Sequence, residues 1–168
     1  MLCVKQGVKR LMDTGAQQGQ FCDFVSRKHQ VESIAVDINP HSTKQGKQRF
    51  SSVQFETTDF VELHGYEDKI DILTCFNWLF YADKKKRKKV YQKMKSVLVQ
   101  TGSIIIGYGD KNWNAHHNMS TEQVQAELSE SFKICSVINL VEHMAFNPEA
   151  HESFSMLERP YTLILATT

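Results

Sequence analysis

No two cysteines of this sequence stand as C-x-x-C: Cys3, Cys22, Cys75 and Cys135 are separated by 19, 53 and 60 positions. That spacing excludes the usual zinc and thioredoxin-like redox arrangements, and the four read as reduced thiols. No apolar run approaches the roughly 20 residues that span a bilayer. The stretch Met1 to Asp13 is interrupted by Lys5, Gln6, Lys9 and Arg10, where an export signal carries its apolar centre. Together these absences predict a cytoplasmic protein with no membrane contact. Net charge is nearly absent as well: 20 basic against 19 acidic residues leave +1, which excludes a polycation of the histone type and an acidic disordered chain. Internal repeats, low-complexity linkers and a metal-ligand spacing among the seven histidines are also missing. What remains is 168 residues, 41% hydrophobic and 23% charged, which read as one domain over 1–168. A chain of that size builds its core without disulfides or a structural metal.

Strand-length apolar stretches alternate with stretches of helical periodicity, the pattern of a parallel sheet covered by crossover helices. Strands are predicted at Val8 to Met12, Ser33 to Asp37, Val53 to Phe55, Ile70 to Cys75 and Ser103 to Tyr108, the last buried on both faces by its three isoleucines. A helix ending near His29 places Phe21, Phe24 and Val25 on one face. Asn39-Pro40 opens a second helix. Asp83 sits as the N-cap of a third, running to about Val99 with Val90, Met94, Val97 and Leu98 inward, and Gly102 ends that connection. Ser120-x-x-Gln123 reads as a capping box ahead of Val124 and Leu128. Phe132 to Val141 and Tyr161 to Ala166 suggest an antiparallel closing pair, joined by the long polar and aromatic stretch Glu142 to Pro160.

In an open parallel sheet, ligands sit beyond the carboxyl ends of the strands where strand order reverses. The turn after the first strand carries Gly15 and Gly19, which allow tight turning ahead of a helix N-terminus able to face an anion. Asp37 ends the second strand 22 positions beyond Gly15, where a carboxylate can accept both ribose hydroxyls. The pair points to a nucleoside cofactor, although glycines after a strand also make plain turns and an Asp before Asn-Pro also serves as a cap. A nicotinamide site would show G-x-G-x-x-G, and only G-x-x-x-G is present.

The arrangement resembles the class I methyltransferases that use S-adenosylmethionine, whose first motif is an acid followed by glycines two, four and six positions later. Asp13, Gly15 and Gly19 match the acid and the outer glycines, and Gln17 stands at the central one. I-A-V-D-I-N-P at 34–40, T-T-D-F at 57–60, D-I-L-T-C-F-N-W at 71–78 and V-L-V-Q-T-G-S-I-I-I at 97–106 are similar to the segments that follow in that family. The resemblance implies a doubly wound, mostly parallel α/β sheet of seven strands with helices on both faces and an antiparallel last strand. It implies a cofactor site in which Asp13, Gly15, Ala16, Gln17 and Gly19 wall the methionine part. Asp37 would accept the ribose, and Ile38 would pack on the adenine. Asp59 would accept from its amino group with Phe60 beside the ring, and Phe76 and Asn77 would face the sulfonium and the substrate.

A side chain at position 17 occupies space that the family leaves to the cofactor, and a positive φ there costs about 1 kcal/mol or more, so weak cofactor affinity is expected. Methyl transfer needs chiefly a near-attack geometry, with a base only for acceptors that lose a proton. Asn77, Tyr81 and His116 are the candidate catalytic side chains. Cys75, ending a strand, reads as a core thiol rather than a nucleophile. The run K-K-K-R-K-K at 84–89, with Lys93 and Lys95, gathers eight of the 20 basic residues into twelve acid-free positions and leaves −7 on the rest of the chain. Such a run is commonly a solvated face, yet cations oppose the dipole at a helix N-terminus. Lys84, Lys85, Lys86, Arg87, Trp113 and His117 are therefore placed on a substrate rim that draws an anionic or large acceptor or a nucleic-acid backbone. The alternative reading is a module that keeps the fold without catalysis and binds RNA or an acidic partner through the basic helix 84–95.

Overall fold

The computed structural model describes residues 7–109, 119–139 and 161–168. Trp113, His116, His117 and the stretch from Glu142 to Pro160 lie outside them. Seven strands form one sheet: β1 (Arg10–Thr14), β2 (Glu32–Asp37), β3 (Val53–Thr57), β4 (Ile70–Phe76), β5 (Leu98–Gly109), β6 (Lys133–Asn139) and β7 (Tyr161–Thr167). The order across the sheet is β3-β2-β1-β4-β5-β7-β6. The first five strands are mutually parallel, and β7 runs antiparallel between β5 and β6. Among the described residues the α-helices are α1 (Gln20–His29), α2 (Pro40–Arg49), α3 (Lys84–Val97) and α4 (Thr121–Ser129). The expected doubly wound α/β sheet is present.

Side chains of β1, β2 and β4 divide between two cores. Met12, Ile34, Val36, Leu73, Ile104 and Ile106 join α3 and α4 residues such as Val90, Met94, Val124 and Leu128 on one face. Leu11 and Ala35 meet Cys22 and Val25 of α1 on the other. Burial on both faces is why β2 and β5 read as unbroken apolar runs. Strand order reverses between β1 and β4, and the loops leaving β1, β2, β3 and β4 open at that edge.

Three sequence expectations are corrected. β1 lies two residues later than predicted, because the amides of Lys9 and Arg10 both donate to Asp71 Oδ2 at 2.9 Å, while Asp13 and Thr14 pair with β2 and β4. Phe24 is half exposed, beneath the Lys28 ammonium, since the buried stripe of α1 passes through Cys22 and Val25. No loop separates α3 from β5: Leu98 already pairs with Ile70, and the Gly102 expected in a turn lies within the strand.

Candidate functional site

The loop from Thr14 to Gly19 leaves β1 with three left-handed residues at alternate positions, Gly15 (φ 72°), Gln17 (φ 51°) and Gly19 (φ 75°). These are the second, fourth and sixth positions after Asp13, so the backbone follows a three-glycine course although one position carries a side chain. Its anchors come from β2. The amides of Gly15 and Ala16 donate to Val36 O at 2.8 and 3.1 Å. The amide of Gln17 donates to Asp37 Oδ2 at 2.7 Å, and that of Asn39 donates to Oδ1 at 2.8 Å. Asp37 thus ties the loop to the strand end. Capping of α2 falls instead to Asn39, whose side chain accepts from the His41 amide. Each Asp37 oxygen holds one hydrogen bond and keeps acceptor capacity for a ligand.

Space above the outer glycines is taken by the protein's own aromatics. A Cβ at position 15 would clash with the Trp78 ring, whose indole N–H donates to Thr14 O at 2.7 Å. A Cβ at position 19 would stand 2.7 Å from the Phe55 ring. Sequence reasoning assigned no role to Trp78. The signal for it was its place as the last residue of the segment 71–78, at the edge where ligands are expected.

An open cleft of about 260 Å³ lies at the switch edge. Of the predicted residues it brings together Gly15, Gln17, Asp37, Ile38, Asp59, Phe60 and Lys86, with Val36, Thr58 and Trp78 completing the wall. Ile38 is 67% exposed and lines this cleft together with the Asp37 and Asp59 carboxylates. Lys86 enters the cleft from the first turn of α3 and pairs with Asp59 Oδ2 at 2.8 Å. Burial works to raise the Asp59 pKa, but the Lys86 ammonium and the Val61 amide outweigh it and hold the carboxyl below its ordinary range.

Other predicted residues stand elsewhere. Asp13 is buried under the loop, accepting from the Thr74 hydroxyl at 2.7 Å, and burial pushes its pKa up to about 7. Ala16 belongs to the α1-side core, and Gly19 caps α1. Phe76 meets Phe21 edge to face with ring centres 5.4 Å apart and is not among the residues that line the cleft. Asn77 has φ 67° and donates its amide to Gly107 O; neither it nor the exposed Tyr81 lines the cleft. Cys75 is buried, and burial raises its thiol to about 12, consistent with a core role. Among the described residues no set of three His, Cys, Asp or Glu side chains is placed to hold a metal, and no helix is long and apolar enough to cross a membrane.

The basic run divides. Lys84, Lys85, Lys88 and Lys89 are exposed, and among the described residues none of them ion-pairs with a carboxylate. Arg87 is not on the rim: it is buried, donating to both Glu127 oxygens at 2.8 Å and to Ala82 O at 2.6 Å. Lys93 reaches Glu67.

A family model described as a methyltransferase domain matches residues 6–158. Comparison with curated protein sequences gives no match. Among solved structures, the chain is similar to an S-adenosylmethionine-dependent methyltransferase from Mesorhizobium loti (TM-score 0.74, 16% identity, 95% of this chain and 90% of that one). It is also similar to the N-methyltransferase NodS from Bradyrhizobium japonicum WM9 in complex with S-adenosyl-L-homocysteine (TM-score 0.72, 15% identity, 96% and 78%). The [4+2]-cyclase SpnF matches equally well (TM-score 0.75, 16% identity, 98% and 76%). At these identities the structural likeness establishes the fold, and a fold alone does not select a reaction.

Proposed function

The chain belongs to the methyltransferase-domain family, and from that membership we propose that it holds S-adenosylmethionine in the cleft at the β1–β4 switch and methylates an anionic acceptor. The family and fold are those of S-adenosylmethionine-dependent methyltransferases. The assignment of cleft residues and the nature of the acceptor are the proposal. The observation that carries it is Ile38, a large apolar side chain left 67% exposed in a cleft that Asp37 and Asp59 also line. An apolar surface sharing a cleft with two acceptors suits a nucleoside, with Asp37 toward the ribose hydroxyls and Asp59 toward the base. The methionine part has less room, because Trp78 covers Gly15 and the Gln17 side chain lines the cleft where a glycine would leave space.

When bound, the cofactor supplies a methyl group on a sulfonium, open to in-line displacement. The chain contributes position: the loop from Gly15 to Gly19 is held rigidly to β2 through Val36 and Asp37, so the donor is fixed before the acceptor arrives. Lys84, Lys85, Lys88 and Lys89 on the neighbouring helix raise the local concentration of an anionic acceptor. A cytoplasmic setting is part of this reading, supported by Cys22 and Cys75 standing as buried free thiols.

Titration calorimetry with S-adenosylmethionine and S-adenosylhomocysteine tests the cofactor assignment. Binding is expected in the wild type and strong weakening in Asp37→Ala. No heat at millimolar cofactor overturns it. Charge reversal at Lys84, Lys85, Lys88 and Lys89 is expected to raise KM for the acceptor, and unchanged turnover refutes the electrostatic role.

Trp78 over Gly15 and the strained Gln17 favour a second reading, a non-catalytic module that binds RNA or an acidic partner through α3. Its signature is salt-sensitive RNA binding, lost on the same charge reversal, in a protein that gives no cofactor heat.

A further inference from the structure

The Lys86 ammonium and the Asp59 carboxylate stand 2.8 Å apart on one wall of the cleft. The two Asp59 oxygens are divided between tasks: Oδ1 accepts from the Val61 amide at 3.2 Å and starts the short turn Phe60–Glu62, while Oδ2 meets Lys86. An ion pair with side chains 44% and 26% exposed adds little to folding, so stability does not explain its place in the cleft. What the pair offers is a donor beside an acceptor, with two further ammonium hydrogens and further carboxylate lone pairs to spare. A 6-aminopurine presents the complementary edge, an amino donor next to a ring-nitrogen acceptor, which is the match by which Asn and Gln side chains read adenine.

We propose that Lys86 is a specificity-determining residue for the cofactor, donating to the ring nitrogen beside the adenine amino group while Asp59 accepts from that amino group. The inference rests on the cofactor reading above and deepens it. A base with a carbonyl at the same place would set oxygen against the Asp59 carboxylate and is rejected. Because Lys86 belongs to the first turn of α3, base recognition and the exposed lysine face are built on one helix.

The test is calorimetry with S-adenosylhomocysteine and its 1-deaza and 7-deaza analogues on wild type, Lys86→Met and Lys86→Arg. Wild type is expected to bind one analogue, the one lacking the contacted nitrogen, roughly tenfold more weakly than the parent. Lys86→Met is expected to bind the parent at that weakened level and to lose the discrimination, and Lys86→Arg to keep it. Equal binding of all three ligands by wild type, or discrimination that survives in Lys86→Met, overturns the inference while leaving the cofactor reading intact. Failure of the wild type to bind the parent overturns both.

Discussion

Replacing Asp13 by Asn is expected to remove a pH dependence of stability that the wild type carries between about pH 4 and pH 7. The carboxyl is buried under the loop, its one hydroxyl donor is Thr74, and burial raises its pKa from 3.8 to about 7, with Asp37 adding repulsion. A carboxyl raised in the native state binds more protons there than in the unfolded chain. Its stabilising contribution is therefore full below the unfolded value and is lost as pH climbs through the native one. With these two values the loss from pH 5 to pH 8 is about 2.5 kcal/mol, a fall of roughly 1 M in the urea midpoint. Urea unfolding of both proteins at pH 5, 6, 7 and 8 measures it, and only the difference between their pH slopes is attributable to position 13. Parallel slopes refute the reasoning, as does a wild type that gains stability over Asp13→Asn with rising pH.

Further consequences are equally open to measurement. Gly15→Ala forces a Cβ into the Trp78 ring at φ 72° and should cost about 2 kcal/mol or more by urea unfolding; near-neutrality would mean that Trp78 does not rest there. Gln17→Gly removes both a left-handed side chain and a side chain from the cleft lining. It should tighten S-adenosylhomocysteine severalfold with stability changed by no more than about 1 kcal/mol. In Trp113→Phe, Trp78 is the sole indole, and its emission should shift during a cofactor titration; constant emission at saturation contradicts its place on the wall. Arg87→Met strands the Glu127 carboxylate and should destabilise by about 3 kcal/mol, much of it recovered in Arg87→Met/Glu127→Met.

Features set by near neighbours in sequence were legible before the structure. Asp83 caps α3, and Ser120 with Gln123 forms a complete capping box, because each motif needs only three or four residues. The strand-end placement of Gly15, Asp37, Ile38 and Asp59 around one cleft follows from the parallel α/β topology, which the alternating pattern carries. Features that depend on distant partners were not legible. The start of β1 is decided by Asp71, 61 positions beyond Arg10. Arg87 leaves the charged face for Glu127, 40 positions away, and Lys86 turns inward to Asp59, 27 positions back. In the sequence these two residues are indistinguishable from the four lysines around them. Trp78 was missed for the same reason: its partners, Thr14 and Gly15, lie over 60 positions earlier.

The slot that β7 fills between β5 and β6 also governs the order of assembly. β6 is synthesised before β7, yet among the described residues the strand it pairs with is β7, so it emerges from the ribosome ahead of that partner. Five parallel strands can zip together first, and the sheet's far side closes only when a later segment wedges in and bridges two strands at once. Such distant pairings form slowly, which leaves the β5 flank as the place where a half-made chain offers an open edge to its neighbours.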